Sequence, residues 1–169
     1  MNRKQKQSQD DGSFDKVVSV RRVTKVTKGG KRFAFSAFVI SGDQEGSIGV
    51  ALGKSREVSS AISKATAKAK KSRFKVALRG STLPYAVTGS HGASKVIIKA
   101  ASKGTGVIAG GAMRAVLESV GITDVLAKSN GSSNPHNVVK ATMDALGQMR
   151  DAVQVAHDRG VSMDKVFNG

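Results

Sequence analysis

Hydrophobic and polar positions alternate through the first third of the chain. Val18, Val20 and Val26 recur at even spacing among Arg21, Arg22 and Lys25, the pattern of a strand covered on one face. Lys28-Gly29-Gly30-Lys31 interrupts it, and its two glycines are expected to supply the positive φ of a tight hairpin. A second strand follows from Arg32 to Ile40, Ser41-Gly42-Asp43 opens another turn, and Ser47 to Leu52 form a short third strand. Then the period becomes helical. Val58, Ala61, Ile62, Ala65 and Ala69 make an apolar stripe between Ser55 and Arg73, while Lys64, Lys68 and Lys71 run parallel to it on another face. Ser55 is placed to cap this helix, with Glu57 in its first turn. The elements predict a β-β-β-α lobe: a three-stranded antiparallel sheet with one helix packed on it. Phe33 and Phe35 share one face of the second strand and Phe38 takes the other, and all three are expected in the core.

A second lobe follows a linker at Arg79-Gly80-Ser81-Thr82-Leu83-Pro84. Strands are predicted near Tyr85 to Ser90 and Lys95 to Ala100, joined at His91-Gly92. Gly104-Thr105-Gly106 breaks the pattern, Gly110-Gly111 precedes a helix reaching about Val120, and Thr123 to Ala127 suit another strand. Asn134 caps a last helix with Pro135 in its first position, continuing through Val138, Val139, Met143 and Leu146. This lobe is ββαβα. Residues 1–12 are polar and aperiodic, a flexible arm, and residues 151–169 form a weaker helical tail. The class is α+β, and modest apolar content favours two compact lobes over one large globule.

Charge changes the picture most. Residues 1–80 hold nineteen Lys and Arg against six Asp and Glu, +13 of the chain's +16. Such a concentration repels itself, and a polyanion with closely spaced phosphates is the natural counterweight. No acidic residue lies between Glu57 and Arg79, so the lysine stripe has no local partners in sequence. A membrane surface is disfavoured, because the basic helix opposes its lysines mainly with alanine. The chain has no cysteine, which removes disulfides, zinc–thiolate sites and thiol nucleophiles. With no apolar run long enough to span a bilayer and no hydrophobic N-terminal segment, a soluble cytoplasmic protein is expected.

Enzyme chemistry finds little support. Gly104-x-Gly106-x-x-Ala109 with Asp124 downstream meets a loose dinucleotide fingerprint. Yet Asp124 lies at the start of its strand, not at the far end where a ribose-binding acid belongs, Val107 and Ile108 suit buried positions, and no Gly-Lys-Ser/Thr follows. The glycines could still cradle a phosphate or allow close packing. Glu118, Asp124, Asp144, Asp151, Asp158 and Asp164 form no cluster for magnesium. His91, His136 and His157 are far apart in sequence and lack a carboxylate or serine partner, so solvent-exposed or RNA-facing positions are expected. A nucleotide-dependent kinase and a free RNA chaperone are the rival classes.

Four segments carry a specific resemblance: VTKGGKRFAFSAFVISGD at 26–43, ALGKSREVSSAISKA at 51–65, GTGVIAGGAMRAVLESVG at 104–121 and GSSNPHNVVKAT at 131–142. In this order and spacing the chain resembles bacterial small-subunit ribosomal protein five from about residue 14 to 147. The resemblance implies a double-stranded-RNA-binding-like lobe at 13–76, a linker at 77–84 and a C-terminal lobe at 85–150 followed by the tail. That second lobe would be a two-layer α/β sandwich with a left-handed crossover. It also implies binding to 16S rRNA at the body–head junction, stabilised head orientation and a part in translational accuracy. Implied partners are small-subunit proteins four and eight, and mRNA near where it enters. The turn Thr24, Lys25, Val26, Thr27 and Lys28, with Gly29 and Gly30, matches the loop near where spectinomycin acts. Gly104, Gly106 and Arg114 match the surface facing protein four. The chain lacks the lysine-alanine-lysine helix start of true double-stranded-RNA-binding domains, so contact with one particular folded RNA is expected.

The resulting expectation is an RNA clamp without catalysis, cofactor or metal. Arg21, Arg22, Lys25, Lys28, Lys31 and Arg32 in the hairpin, with Lys54, Arg56, Lys64, Lys68 and Lys71 around the helix, would neutralise phosphates. Gly29 and Gly30 would let the hairpin tip approach RNA backbone. Displacing counterions from about six phosphates gives a salt slope of roughly −5 in log units.

Overall fold

The computed structural model describes residues 12–168, so the arm assigned to residues 1–12 lies, apart from Gly12, outside the described residues. Two α+β lobes follow. In the first, β1 (Phe14–Thr27) and β2 (Gly30–Gly42) form a long antiparallel ribbon, joined to β3 (Ser47–Ser55), α1 (Val58–Lys71) and the two-residue β4 (Phe74–Lys75). The sheet order is β1-β2-β3-β4, the last strand being too short to leave a hydrophobic period. In the second lobe, β5 (Val87–His91), β6 (Ser94–Ala100), β7 (Val107–Ile108), α2 (Gly111–Val120), β8 (Val125–Gly131) and α3 (Pro135–Gly147) build a sheet of order β5-β6-β8-β7. β7 runs parallel to β8 across α2, and the other pairs are antiparallel. The tail contains α4 (Ala152–Arg159), begun by an Asp151–Gln154 capping box, and α5 (Met163–Asn168).

Three local expectations need correction. Ser55 does not cap α1: it still belongs to β3, opposite Phe35, and Glu57 takes the N-cap position without a side-chain cap bond. A β-bulge between Val17 and Ser19 breaks the valine alternation. Val18 packs against the core, whereas Val20 and Val26 are exposed. At the hairpin, Gly30 alone of the two glycines takes a positive φ, +125°.

Alternation in β2 gives the first sheet two distinct faces. Ala37 and Val39 meet Ala61 and Ala65 of α1 in a small core of their own. The helix sits very close to β3, because a Cβ at Gly53 would stand 2.2 Å from the Ala61 carbonyl oxygen. Small residues on both elements make that approach possible, which is why the apolar stripe of α1 is mostly alanine. On the opposite face, Phe38, Ile40 and Ile48 join Met113, Val116, Leu117 and Val120 of α2 and Val138, Val139 and Leu146 of α3. The two lobes therefore share the larger apolar core, and the small cluster under α1 belongs to the first lobe alone.

Backbone contacts lock this junction. The turn after β2 donates from Gln44 N to Ser119 O (3.2 Å) and from Gly46 N to Val120 O (2.9 Å). These carbonyls end α2 and have no partner within the helix, so the other lobe supplies it. Gly42 lies flat on the same spot: its missing Cβ would fall 1.8 Å from Ser119 O. Beside it, Arg73 Nη2 donates to Ser41 Oγ (2.6 Å) and Gly42 O (3.3 Å), and Ser41 Oγ donates to Asp15. Lys16 of β1 pairs with Glu118 of α2.

Candidate nucleic-acid interface

The β1–β2 ribbon runs beyond the reach of α1, and there both of its faces are open. Strand register sorts the basic residues, since directly opposite side chains share a face. Arg21 lies opposite Ser36 and Lys25 opposite Arg32, with Lys54 opposite Ser36 on β3, all on the face that holds Phe38. Arg22 lies opposite Phe35 and Lys31 opposite Val26, on the α1 face. Thr24 and Val26 share that second face, while Lys28 and Gly29 form the exposed turn between Thr27 and Gly30. Between Lys16 and Asp43 the sequence holds no acidic residue. Lys25 opposite Arg32 is a like-charge cross-strand pair, which by itself weakens the ribbon.

Phe33 is not in the core. It is 52 % exposed with the Arg22 guanidinium 4.9 Å from its ring centroid, whereas Phe35 is half-buried and Phe38 fully buried. The ribbon simply projects past the helix that covers Phe35. An aromatic face carrying a cation, at the edge of a basic hairpin, is a surface on which a base can stack.

Around α1, Lys54, Arg56, Lys64, Lys68 and Lys71 are all exposed. Lys54 continues the Phe38 face of the ribbon, whereas Lys64, Lys68 and Lys71 lie on the outside of α1. Lys68 and Lys71 lie in the last turn, where cations also favour the helix dipole, and Lys64 sits mid-helix without that benefit. The predicted cations thus occupy three surfaces: the Phe38 face, the α1 face of the ribbon, and the outside of α1.

Between the lobes, Phe38, Val50, Ala51, Leu52, Ser72, His91, His136, Lys140 and Met143 line a groove of about 500 Å³. Two histidines expected to lie apart, His91 and His136, meet here because the β5–β6 turn and the start of α3 face the same sheet. The His136 ring centroid is 4.0 Å from that of Phe38, the planes tilted by 32°. Burial, then the charges of Arg21 and Lys140, hold its pKa below the ordinary imidazole value. His157 remains on the exposed surface of α4.

The glycine-rich run is already organised around an anion of its own. Gly104 N and Gly106 N donate to Asp124 Oδ1 at 2.8 and 3.2 Å, and Thr123 Oγ1 donates to Oδ2 at 2.9 Å. The N–H of Gly106, hydroxyls of Ser81 and Thr123 and the N–H of Gly104 lower the Asp124 pKa to about 2, against some opposing burial. Positive φ values of +92° at Gly104 and +76° at Gly106 make this wrap possible. Neither glycine is there for tight packing, as nothing lies within 4 Å of a Cβ at either. A bound phosphate would compete for N–H groups beside a buried carboxylate, so the nucleotide-loop alternative loses its donors. Arg114 is exposed and donates from Nη2 to Val107 O (3.2 Å), which fixes its guanidinium over the loop. In the sequence Asp124 reads as a ribose ligand or as one of several scattered carboxylates for magnesium, not as a loop anchor. Its place directly before a strand and twenty residues from a glycine pair was the available signal for a loop anchor. No group of three or more potential metal ligands occurs among the described residues.

Comparison with known proteins accounts for both lobes. The family model for ribosomal protein S5, N-terminal domain, matches residues 14–77, and that for ribosomal protein S5, C-terminal domain, matches residues 89–159. The small ribosomal subunit protein uS5 of Bacteroides thetaiotaomicron is 56% identical over 169 residues, covering 100% of this chain and 98% of that protein. Its counterpart in Phocaeicola vulgatus is 60% identical over 155 residues, covering 92% and 91%. That of Lawsonia intracellularis is 54% identical over 149 residues, covering 88% and 91%.

Proposed function

Because the chain belongs to the ribosomal protein S5 family, a structural and non-catalytic family, we propose that it is built into the small ribosomal subunit of the bacterial cytoplasm. There it binds 16S rRNA at the body–head junction, stabilises head orientation and contributes to translational accuracy. The first lobe, residues 13–76, is the rRNA-binding unit, and its ribbon, with Thr24 to Lys28 at the tip, reaches toward the head. The second lobe, residues 85–150, presents Gly104, Gly106 and Arg114 to small-subunit protein four. Protein eight and mRNA near its point of entrance complete the surroundings.

One observation supports this reading above others. Twenty-six consecutive residues, 17–42, hold six Lys or Arg and no Asp or Glu. Lys25 facing Arg32 makes the ribbon unfavourable alone and favourable against phosphate. The seam between Gly42 and α2 gives that ribbon a fixed base, so that RNA held at the tip is held relative to the second lobe.

The test replaces Lys25, Lys28 and Lys31 by Ala and measures binding to folded 16S rRNA against salt. Each phosphate contact contributes about 0.9 to the logarithmic slope, so losing three of about six should halve a slope of roughly −5 to roughly −2.5. An unchanged slope would remove the hairpin from the contact surface.

A further inference from the structure

We propose that the groove between the lobes receives one unpaired nucleobase of the bound RNA, stacked on the outer face of His136 with its flanking phosphates on Arg21, Lys54 and Lys140. This deepens the rRNA-binding reading above and rests on it.

The floor of the groove is an aromatic stack with one side open. Phe38 is only 2 % exposed and lies beneath His136, whose ring is half-buried. A third flat group laid on His136 would continue the stack. The walls are apolar, from Val50 and Leu52 of β3 and Met143 of α3, and Leu52 is 38 % exposed. A volume of about 500 Å³ falls within the range of small-ligand clefts and exceeds what a single side chain fills. His91 at the rim adds polar ring nitrogens able to reach a base edge.

Charge decides between a base and an apolar peptide as occupant. Every charged residue lining the groove is basic, Lys140 alone, and Arg21 lies close enough to act on His136. Arg21, Ser36 and Lys54 form a row across β1, β2 and β3 on the same face as Phe38. The groove therefore has cations on two sides, Arg21 and Lys54 on the first lobe and Lys140 on the second. A nucleotide in a single-stranded segment offers the matching pattern, a flat apolar face with phosphates before and after it. An apolar peptide would leave those cations without a counter-charge. The depressed pKa of His136 fits the same use, since an uncharged imidazole at neutral pH stacks without desolvating a charge.

The experiment is ultraviolet crosslinking of intact small subunits containing the wild-type full-length chain, with the crosslinked peptides sequenced. The expected result is a nucleotide joined to peptide 134–143 or 50–54, in addition to crosslinks within the ribbon at 21–33. Ribbon crosslinks without any at the groove would overturn this inference and leave the rRNA reading standing, and loss of both would defeat that reading as well. A crosslink from the groove to another protein would assign it a peptide occupant and equally overturn the proposal. Base-specific chemical probing of subunits carrying His136→Ala or Leu52→Arg supplies the second measurement. One unpaired base should become at least about fivefold more reactive, the lower end of what one lost stacking contact is worth. His136→Phe should restore its protection, and no change at any base in either incorporated variant would sink the idea.

Discussion

Gly42→Ala should damage the junction between the lobes more than any ribbon substitution damages the ribbon. The new methyl carbon would stand 1.8 Å from Ser119 O and 2.5 Å from the Ser119 carbonyl carbon, both backbone atoms of α2. A flexible side chain could move aside, but a helix terminus packed in the shared core cannot do so cheaply. The turn must lift instead, and lifting it lengthens Gln44 N to Ser119 O and Gly46 N to Val120 O together. Each net hydrogen bond is worth about 0.5–1.5 kcal/mol, and a buried carbonyl left unpaired costs about 1–3 kcal/mol. The loss should reach about 2–4 kcal/mol, or a Tm lower by roughly 5–15 °C for a chain of this size. Urea and thermal unfolding followed by circular dichroism measure it on the free protein. Gly29→Ala is the control, since nothing lies within 4 Å of a Cβ there and its φ is not positive, and it should stay within about 0.5 kcal/mol of wild type. If Gly42→Ala matched that control, the seam would be soft and the lobes free to shift against each other.

Two further outcomes follow from other parts of the molecule. Asp124→Asn should loosen the 104–106 loop, seen as faster amide exchange at Gly104 and Gly106, and should flatten the acid limb of the stability curve. The sign is fixed by the lowered pKa: the folded carboxylate titrates near 2 against an ordinary 3.8, so its stabilisation is present above about pH 4 and disappears as pH falls toward 2. A variant with the same stability difference from wild type at pH 7 and pH 2 would contradict this account. Phe33→Ala should leave unfolding almost unchanged, by under about 1 kcal/mol for the lost contact with Arg22, because the ring is 52 % exposed. Binding to 16S rRNA should weaken by about 1–3 kcal/mol if a base stacks on that ring, and filter binding of the variant at constant salt separates the two effects.

How far the sequence carried depended on the range of the interaction involved. Period-two and helical spacing placed the ribbon, α1 and α3 well, because those patterns report a residue's own neighbours. Asn134 and Pro135 at the start of α3 were readable for the same reason. Phe33 reads as a core residue in the sequence but is exposed, because alternation tells which face a side chain takes, not whether a helix reaches far enough to cover it. Val18 and Val20 share a face by alternation alone, and the bulge that separates them leaves no mark in composition. The seam was invisible for a further reason. Gly42 reads as an ordinary turn residue, and only the carbonyls of α2, some eighty positions away, make it indispensable. His136 and Phe38 share a groove across a similar distance in sequence, so neither hinted at the other.

The cationic ribbon and the rigid seam are two halves of one physical arrangement. A two-stranded ribbon with both faces open has almost no apolar area to bury, and opposing Lys25 and Arg32 reduce its stability further. Such an element cannot orient itself; it takes its direction from whatever fixes its root. Here the root is Phe38 and Ile40 in the shared core, Gly42 against α2, and Lys16 paired with Glu118. Stability is thus concentrated at the junction and charge at the tip, where a partner completes it. A phosphate backbone bound along the ribbon would relieve the repulsion there and transmit position to the second lobe through backbone hydrogen bonds, which tolerate little displacement. Loosening the root should therefore cost RNA placement even with every lysine intact, whereas removing lysines should cost affinity with placement of the remaining contacts preserved.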